Sequence, residues 1–291
     1  MRSVKIALAA VGAAFVLIVA LALLLAVFTG SPLTKGPNVA VIKIEGIITD
    51  PASVTSQLKE AGERDDIKAV IVRINSPGGA VAPSQEIHGE IMRLRKTKAV
   101  VASMSTTAAS GGYYAAVAAE KIVANPGTIT GSIGVIIEFV NAEELLSKIG
   151  LKGYVIKSGR FKDVGSPLRK MEEPEKELLQ AVIDDVNGQF IDAVAAGRGL
   201  DRERVAKIAD GRIFTGAQAL ANGLVDSLGG LTEAIELGAR MAGIEGKPEV
   251  LYMERRDLSL WRAVMGEGAA SSITDLVSGM RLMYITTNPD R

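Results

Sequence analysis

The stretch Thr106-Thr-Ala-Ala-Ser-Gly-Gly-Tyr-Tyr114 holds the residues best suited to nucleophilic chemistry. The apolar run Ala99–Met104 leads into it as a strand, and a small-residue helix, about Ser110 to Ala119, is expected to lead out. A serine at a strand-to-helix turn carries its Oγ at the end of a sheet. The backbone N–H groups that follow it are unpaired in the first helical turn and hold the positive end of the helix dipole. Ser110 is therefore read as a nucleophile and the Gly111 N–H as half of an oxyanion hole. The competing reading is a helix N-cap serine followed by flexible glycines. Ser76-Pro-Gly-Gly79 closes another apolar strand. Without a Cβ, Gly78 or Gly79 can turn a backbone N–H toward a substrate. Beside Ser110, either would supply a second oxyanion donor; on its own the segment is an ordinary tight turn.

A serine hydroxyl needs a base. The chain has one histidine, His88, and no cysteine. Multi-histidine metal sites, thiolate catalysis and disulfides are thereby excluded, and no metal or cofactor is expected. His88 sits in a polar-looking helical stretch, Gln85–Glu90, with no acid at a useful spacing, and reads as a surface histidine. The alternative base is a lysine made neutral by burial, since a low dielectric disfavours the ammonium. The candidates are Lys157 and Lys162 in Lys157-Ser-Gly-Arg-Phe-Lys-Asp-Val-Gly-Ser-Pro167. Sequence physics does not choose between them, and each is otherwise a solvated surface amine. Ser132, in Thr130-Gly-Ser-Ile-Gly134, has a hydroxyl that could orient such an amine or simply fill a turn. The formal net charge is zero, which gives no electrostatic case for nucleic acid.

The elements that must position these residues follow from periodicity. Strands are expected at Val39–Ile44, Ala69–Asn75, Ala99–Met104, Lys121–Ala124, Ile133–Ile137, Tyr154–Lys157 and Glu249–Met253. Helices are expected at Ser53–Glu63, from Pro83 or Ser84 to Lys96, at Ala142–Ile149, Glu172–Ala196, Arg202–Ala209 and Leu231–Met241, and after a Thr215 cap. Leu179, Val182, Ile183, Val186, Phe190 and Val194 form one apolar stripe on the longest helix. Alternating strands and helices, with strands apolar on both faces, argue an α/β fold with a parallel sheet. Upstream, Ile6–Phe28 is an uninterrupted apolar or small run of about 23 residues, enough for a helix to cross a ~30 Å hydrocarbon core. Leu24-x-Ala26 is a poor small-x-small cleavage site; the run is read as an anchor, with a cleavable signal as the alternative. Arg2 and Lys5 precede it and favour a cytoplasmic N-terminus, which places the rest outside the cytoplasmic membrane. The expected divisions are a stub and transmembrane anchor (1–30), a linker (31–37), a domain carrying the serine and lysine candidates (38–254) and a mixed tail (255–291). The tail either forms amphipathic turns through Trp261, Val264, Ile273, Leu276, Met280 and Met283 or lies extended in a groove.

Five blocks in order carry a resemblance. Asn75-Ser-Pro-Gly-Gly79, Ala108-Ala-Ser-Gly-Gly-Tyr-Tyr114, Thr130-Gly-Ser-Ile-Gly134, Lys157-Ser-Gly-Arg-Phe-Lys-Asp163 and Asp210-Gly-Arg-Ile-Phe-Thr-Gly-Ala-Gln-Ala219 resemble the signal peptide peptidase A group of S49 serine peptidases, in its short, single-repeat, anchored form. The resemblance covers about Val39 to Gly243. It implies a crotonase-like, Clp-protease-like fold with Ser110 as nucleophile and Lys162 as general base. It further implies Ser132 as the residue that orients the lysine, and Gly78 or Gly79 with Gly111 as oxyanion donors. By the same resemblance, subunits assemble into a dome-shaped homo-oligomeric ring, Lys162 comes from a neighbouring subunit, and the substrates are remnant signal peptides and other hydrophobic peptides. Asp163 beside the base is expected to face away, since an inward carboxylate would hold the lysine charged. The competing functions are a related protease for intact membrane proteins, a non-catalytic oligomeric scaffold of the same fold, and an acyl-CoA enzyme of crotonase type. An outward-facing domain has no obvious CoA supply, which weighs against the last.

Overall fold

The computed structural model describes residues 12–21, 24, 36–253 and 283–285. Residues 1–37 form one unit and residues 38–291 another. In the first, residues 12–21 are helical with exposed side chains. Among the described residues no helix is long and apolar enough to cross a membrane. Much of the 6–28 run expected to do so lies outside them, as do most of the linker and the tail.

In the second unit the strands are β1 (Val39–Glu45), β2 (Ala69–Ser76), β3 (Gly78–Ala80), β4 (Ala99–Ala109), β5 (Lys121–Ala124), β6 (Ile129–Gly131), β7 (Ile213–Thr215), β8 (Ser227–Leu228), β9 (Val250–Tyr252) and β10 (Met283–Ile285). The helices are α1 (Ala52–Glu63), α2 (Val81–Leu94), α3 (Gly111–Ala116), α4 (Glu143–Lys148), α5 (Glu173–Arg198), α6 (Arg202–Ala206), α7 (Gly216–Ala221) and α8 (Leu231–Met241). Among the described residues the main sheet has eight strands, with the path β7-β6-β4-β2-β1-β9; β5 joins β4 to β8. Pairing is parallel except at one edge, where β6 and β7 run antiparallel. That edge departs from the all-parallel expectation.

The continuous apolar runs are explained by burial on both faces. Ile42, Val72, Ala102 and Met104 face α1, α2, α3 and α5 in one core; Val41, Ile71, Val101 and Val123 face α8 in the other. Strand β4 spans two neighbours: residues 101–104 pair with β5 and residues 107–109 with β6. Its far end is thereby carried past the edge of β5 to the turn at Ser110. Helix α5 starts with a capping box between Glu172 and Glu175 and stops at Gly199 in the left-handed conformation. Its buried stripe is Leu179, Val186, Phe190, Ile191 and Val194; Val182 is exposed. The Thr215 cap is present: its Oγ1 accepts from the Gln218 N–H at 3.2 Å.

Two expected strands are absent. Residues 151–157 have no regular structure and are exposed, Tyr154 at 86 %. The run Tyr154–Lys157 has the composition of a strand but pairs with no edge among the described residues. Residues 133–137 do not form a strand either, because β6 ends at Gly131, where the chain turns with positive φ. The helix after Ser110 is shorter than expected and ends at Ala116.

Candidate active site

Ser110 lies between the C-terminal end of β4 and α3, is 1 % exposed, and has φ 52° and ψ −117°. A non-glycine residue in that region is strained by the order of 1–3 kcal/mol and persists only where its surroundings impose it. Here its N–H donates to the Gly131 carbonyl at 2.8 Å, and its carbonyl accepts from the Tyr114 N–H at 2.8 Å. It does not act as a side-chain N-cap: no cap hydrogen bond forms, and Ser110 Oγ has no hydrogen-bond partner among the described residues. Ser132 has φ 50°, and among the described residues these two serines alone combine a side chain with positive φ. They sit one residue either side of the same contact, Ser110 on its N–H and Ser132 following Gly131. The Ser132 N–H is held by the Arg212 carbonyl at 2.9 Å.

The Ser76–Gly79 turn meets Ser110 directly. A Cβ built on Gly111 would stand 2.5 Å from Ser84 Oγ, 3.2 Å from Gly79 N and 3.3 Å from Gly78 Cα. One on Gly112 would stand 2.9 Å from the Ser76 carbonyl oxygen. The two glycines after the serine therefore let α3 press against the end of β2 and β3, rather than clear a path for substrate. The Gly111 N–H, at the first position of α3, has no intrahelical acceptor. The Gly78 N–H is already engaged by Ser76 Oγ at 3.1 Å, whereas Gly79 N lies against the Ser110–Gly111 turn. Ile48 pairs with the outer edge of β3: its N–H donates to the Gly78 carbonyl at 2.9 Å, and its carbonyl accepts from the Ala80 N–H at 2.7 Å. Neither Ile48 nor the supporting hydroxyls of Ser76 and Ser84 stand out in the sequence, where Gly46–Pro51 reads only as a turn.

The lysines separate clearly. Lys157 donates to the Arg160 carbonyl at 2.9 Å and pairs with Asp163. Arg169 Nε also donates to Asp163, at 2.9 Å, and Arg169 continues to Glu175. The two cations, Arg169 foremost, hold the Asp163 carboxyl well below its ordinary range; Arg169 holds that of Glu175 down to about 2. Asp163 thus faces Lys157 and Arg169. Lys162 sits in the same turns, exposed, and its amine has no hydrogen bond or ion pair among the described residues. Within one chain it bonds neither Ser110 nor Ser132. Ser132 instead opens on a groove of about 800 Å³ shared with Glu138, Gln180, Asn187 and Arg212.

His88 is not the surface residue its neighbours in sequence suggest. Its ring packs on Tyr114 at 5.0 Å between centroids, and Tyr114 packs on Phe190 at 5.0 Å. Burial, with Arg95 nearby, lowers its pKa to about 4. An imidazole so weakly basic, with no hydrogen bond to Ser110, is not poised as the base.

The family model "Peptidase family S49" matches residues 92–245, and the model "Clp protease" matches residues 38–128. A Synechocystis sp. protein named "Putative protease slr0021" is 47 % identical over 210 residues, covering 72 % of this chain and 76 % of that one. An Enterococcus faecium protein named "Putative signal peptide peptidase SppA" is 41 % identical, covering 62 % of this chain and 53 % of its own length. "Serine protease SPPA, chloroplastic" of Arabidopsis thaliana is 34 % identical, with 79 % of this chain matching 36 % of that longer one. With a Clp-protease-like α/β fold and a family match over more than half its length, the chain belongs to peptidase family S49.

Proposed function

We propose that the chain is a membrane-anchored serine endopeptidase acting on hydrophobic peptides, remnant signal peptides among them. Ser110 is its nucleophile and Lys162, from a neighbouring subunit, its general base. The observation that carries this reading is the strained, buried Ser110 beside the unpaired Gly111 N–H and the Gly78–Gly79 turn. A helix-capping serine has no need of that conformation. The choice of Lys162 rests on elimination within its own loop: Asp163 and a carbonyl engage Lys157, and Lys162 is unengaged. That Lys162 comes from a second copy is supported by the exposed apolar segment carrying it, with Ile149, Leu151, Tyr154, Val155 and Ile156 turned to solvent, and by the groove in front of Ser132. Exposed apolar surface of this kind marks an interface. The anchor rests on the 6–28 apolar run, which puts the catalytic unit on the outer side of the cytoplasmic membrane.

In this mechanism neutral Lys162 takes the Ser110 proton as Oγ attacks a peptide carbonyl. The oxyanion is held by the Gly111 N–H and by that of Gly79 or Gly78. Lys162 then protonates the leaving amine, and a water activated by the same amine hydrolyses the ester. Ser132 Oγ orients the incoming amine. The test is fluorophosphonate labelling with peptide hydrolysis on assembled protein. Wild type labels at Ser110 and cleaves a freed signal peptide; Ser110→Ala and Lys162→Ala do not cleave. Activity retained in either variant overturns the assignment. Cleavage of intact membrane proteins in preference to freed signal peptides would favour the related membrane-protein protease.

A further inference from the structure

The block Asp210–Ala219 stands out in the sequence, yet the proposed mechanism gives it no task. In the structure its first three residues close on Ser132. The Arg212 carbonyl accepts from the Ser132 N–H at 2.9 Å, and the Gly211 N–H donates to the Ile133 carbonyl at 3.0 Å. These two bonds bracket Ser132, whose φ of 50° a residue with a side chain rarely adopts. The close approach needs glycine before it: a Cβ on Gly131 would stand 2.6 Å from the Phe214 ring and 3.2 Å from the Arg212 carbonyl oxygen. Two blocks far apart in the sequence are therefore one contact. The turn that makes these bonds is itself held. Asp210 Oδ1 accepts from the Arg212 N–H at 3.2 Å and from Arg212 Nε at 2.7 Å, and Oδ2 accepts from Nη2. One carboxylate thereby closes the turn around Gly211, whose φ is 86°. Bonding to Arg212 holds the pKa of that carboxyl down to about 2, so the clip stays intact in neutral and mildly acidic solution.

From this we infer that Asp210 is a positioning residue: by clipping Arg212 it fixes the carbonyl that sets the Ser132 backbone, and through Ser132 it aims a hydroxyl at the lysine amine entering the groove. The inference rests on the reading of Ser132 as the residue that orients Lys162, and adds to it what holds Ser132. Ser132 Oγ makes no hydrogen bond among the described residues, so its direction is set by the backbone that carries it. Ser132, Asp210, Gly211 and Arg212 all line the groove of about 800 Å³. The side chains of Asp210 and Arg212 are 49 % and 55 % exposed, and an ion pair so exposed contributes little to stability. A displacement of about 1 Å in a reacting constellation, by contrast, can lower a rate about a hundredfold. Asp210 therefore acts on kcat far more than on the melting temperature.

The test is a double-mutant cycle on the assembled, detergent-solubilised full chain: wild type, Asp210→Ala, Ser132→Ala and both together, each assayed on a freed signal peptide. Ser132→Ala removes the hydroxyl and leaves the backbone bonds in place. Asp210→Ala should lower kcat by about tenfold with KM unchanged, and leave the melting temperature nearly unchanged. Ser132→Ala should lower kcat at least as far. Adding Asp210→Ala to it should lower kcat no further, because the hydroxyl that Asp210 positions is gone. Asp210→Asn keeps an oxygen for the Arg212 N–H and should restore most of kcat. Wild-type kcat in Asp210→Ala, or losses that multiply in the double variant, would overturn the clip's role and leave the reading of Ser132 standing. Loss of assembly in Asp210→Ala, or a melting temperature that falls and recovers together with kcat across the Ala and Asn variants, would make Asp210 a residue of the fold and overturn the inference as well. Wild-type kcat in Ser132→Ala would overturn both.

Discussion

At the scale of single residues, the site is built by what is left out of it. Gly111 has room for hydrogen only, because Ser84 Oγ and the backbone of Gly78 and Gly79 close on its missing Cβ. Gly111→Ala should therefore destabilise by about 1–3 kcal/mol through overpacking, read as a lower urea midpoint, and should abolish hydrolysis because the turn proposed to hold the oxyanion is pushed away. Adding Ser84→Ala removes the nearest clash, at 2.5 Å, but leaves the backbone contacts at 3.2 and 3.3 Å. The double variant should regain stability without regaining activity; full recovery of kcat would mean that the turn's position does not matter. A second expectation concerns Arg169, which with Lys157 holds Asp163. Arg169→Met releases a carboxylate one residue from Lys162, the proposed base. A carboxylate turned toward Lys162 would stabilise its ammonium. The acid limb of the kcat/KM profile should then move to higher pH, and the melting temperature should fall because the nearly buried Glu175 loses its cation. The serine, the glycines and the pair of lysines were all visible as residue types with a spacing. Which lysine is committed was not visible, because that depends on where Arg169 and Glu175 come to lie in three dimensions.

At the scale of elements, the parallel core was legible because strands buried on both faces have little room for polar residues; Ala69–Val72 and Ala99–Ala102 are apolar for that reason. The same signal misleads at Tyr154–Lys157, whose apolar residues face solvent in the single chain. It also says nothing of direction, so the antiparallel β6–β7 edge went unforeseen. His88 was misread because Glu86 beside it is exposed, while the helix turns His88 onto Tyr114 and through it toward α5. That contact has a pH signature. His88 titrates at about 4 when folded, against 6.5 for the free side chain. Between those values the unfolded chain binds the extra proton, so stability is complete above about pH 6.5 and declines as pH falls toward 4, by about 2–3 kcal/mol in all. The lowered carboxylates, Asp226 and Glu175 among them, add their losses mainly below that window. Urea unfolding of His88→Phe between pH 4 and 7 should show this slope flattened; an unchanged slope would place its origin elsewhere.

At the scale of the whole molecule, the proposed constellation is not closed among the described residues of one chain. Ser110, Ser132 and the glycine turns are joined through Gly131 and Gly79, while Lys162 stands on an exposed apolar segment with no hydrogen bond to either serine. A head-to-tail contact that repeats until it closes gives every serine a neighbour's lysine, the heterologous geometry of a ring. That arrangement makes a prediction no single-chain site can meet. Ser110→Ala chains lack a nucleophile but keep the base; Lys162→Ala chains keep the nucleophile and lack the base. Each should assemble and each should be inactive alone. Dissociated, mixed in equal amounts and reassembled, half of the subunits carry the serine and half of their neighbours carry the lysine, so activity should return to roughly a quarter of wild type. Fluorophosphonate labelling should appear only on the Lys162→Ala chains, which mass spectrometry distinguishes from their partners. A mixture that stays inactive, though chromatography shows mixed assemblies, would require the lysine to reach the serine within one chain. The 149–162 segment would then have to fold back on its own body, burying the apolar residues it now exposes.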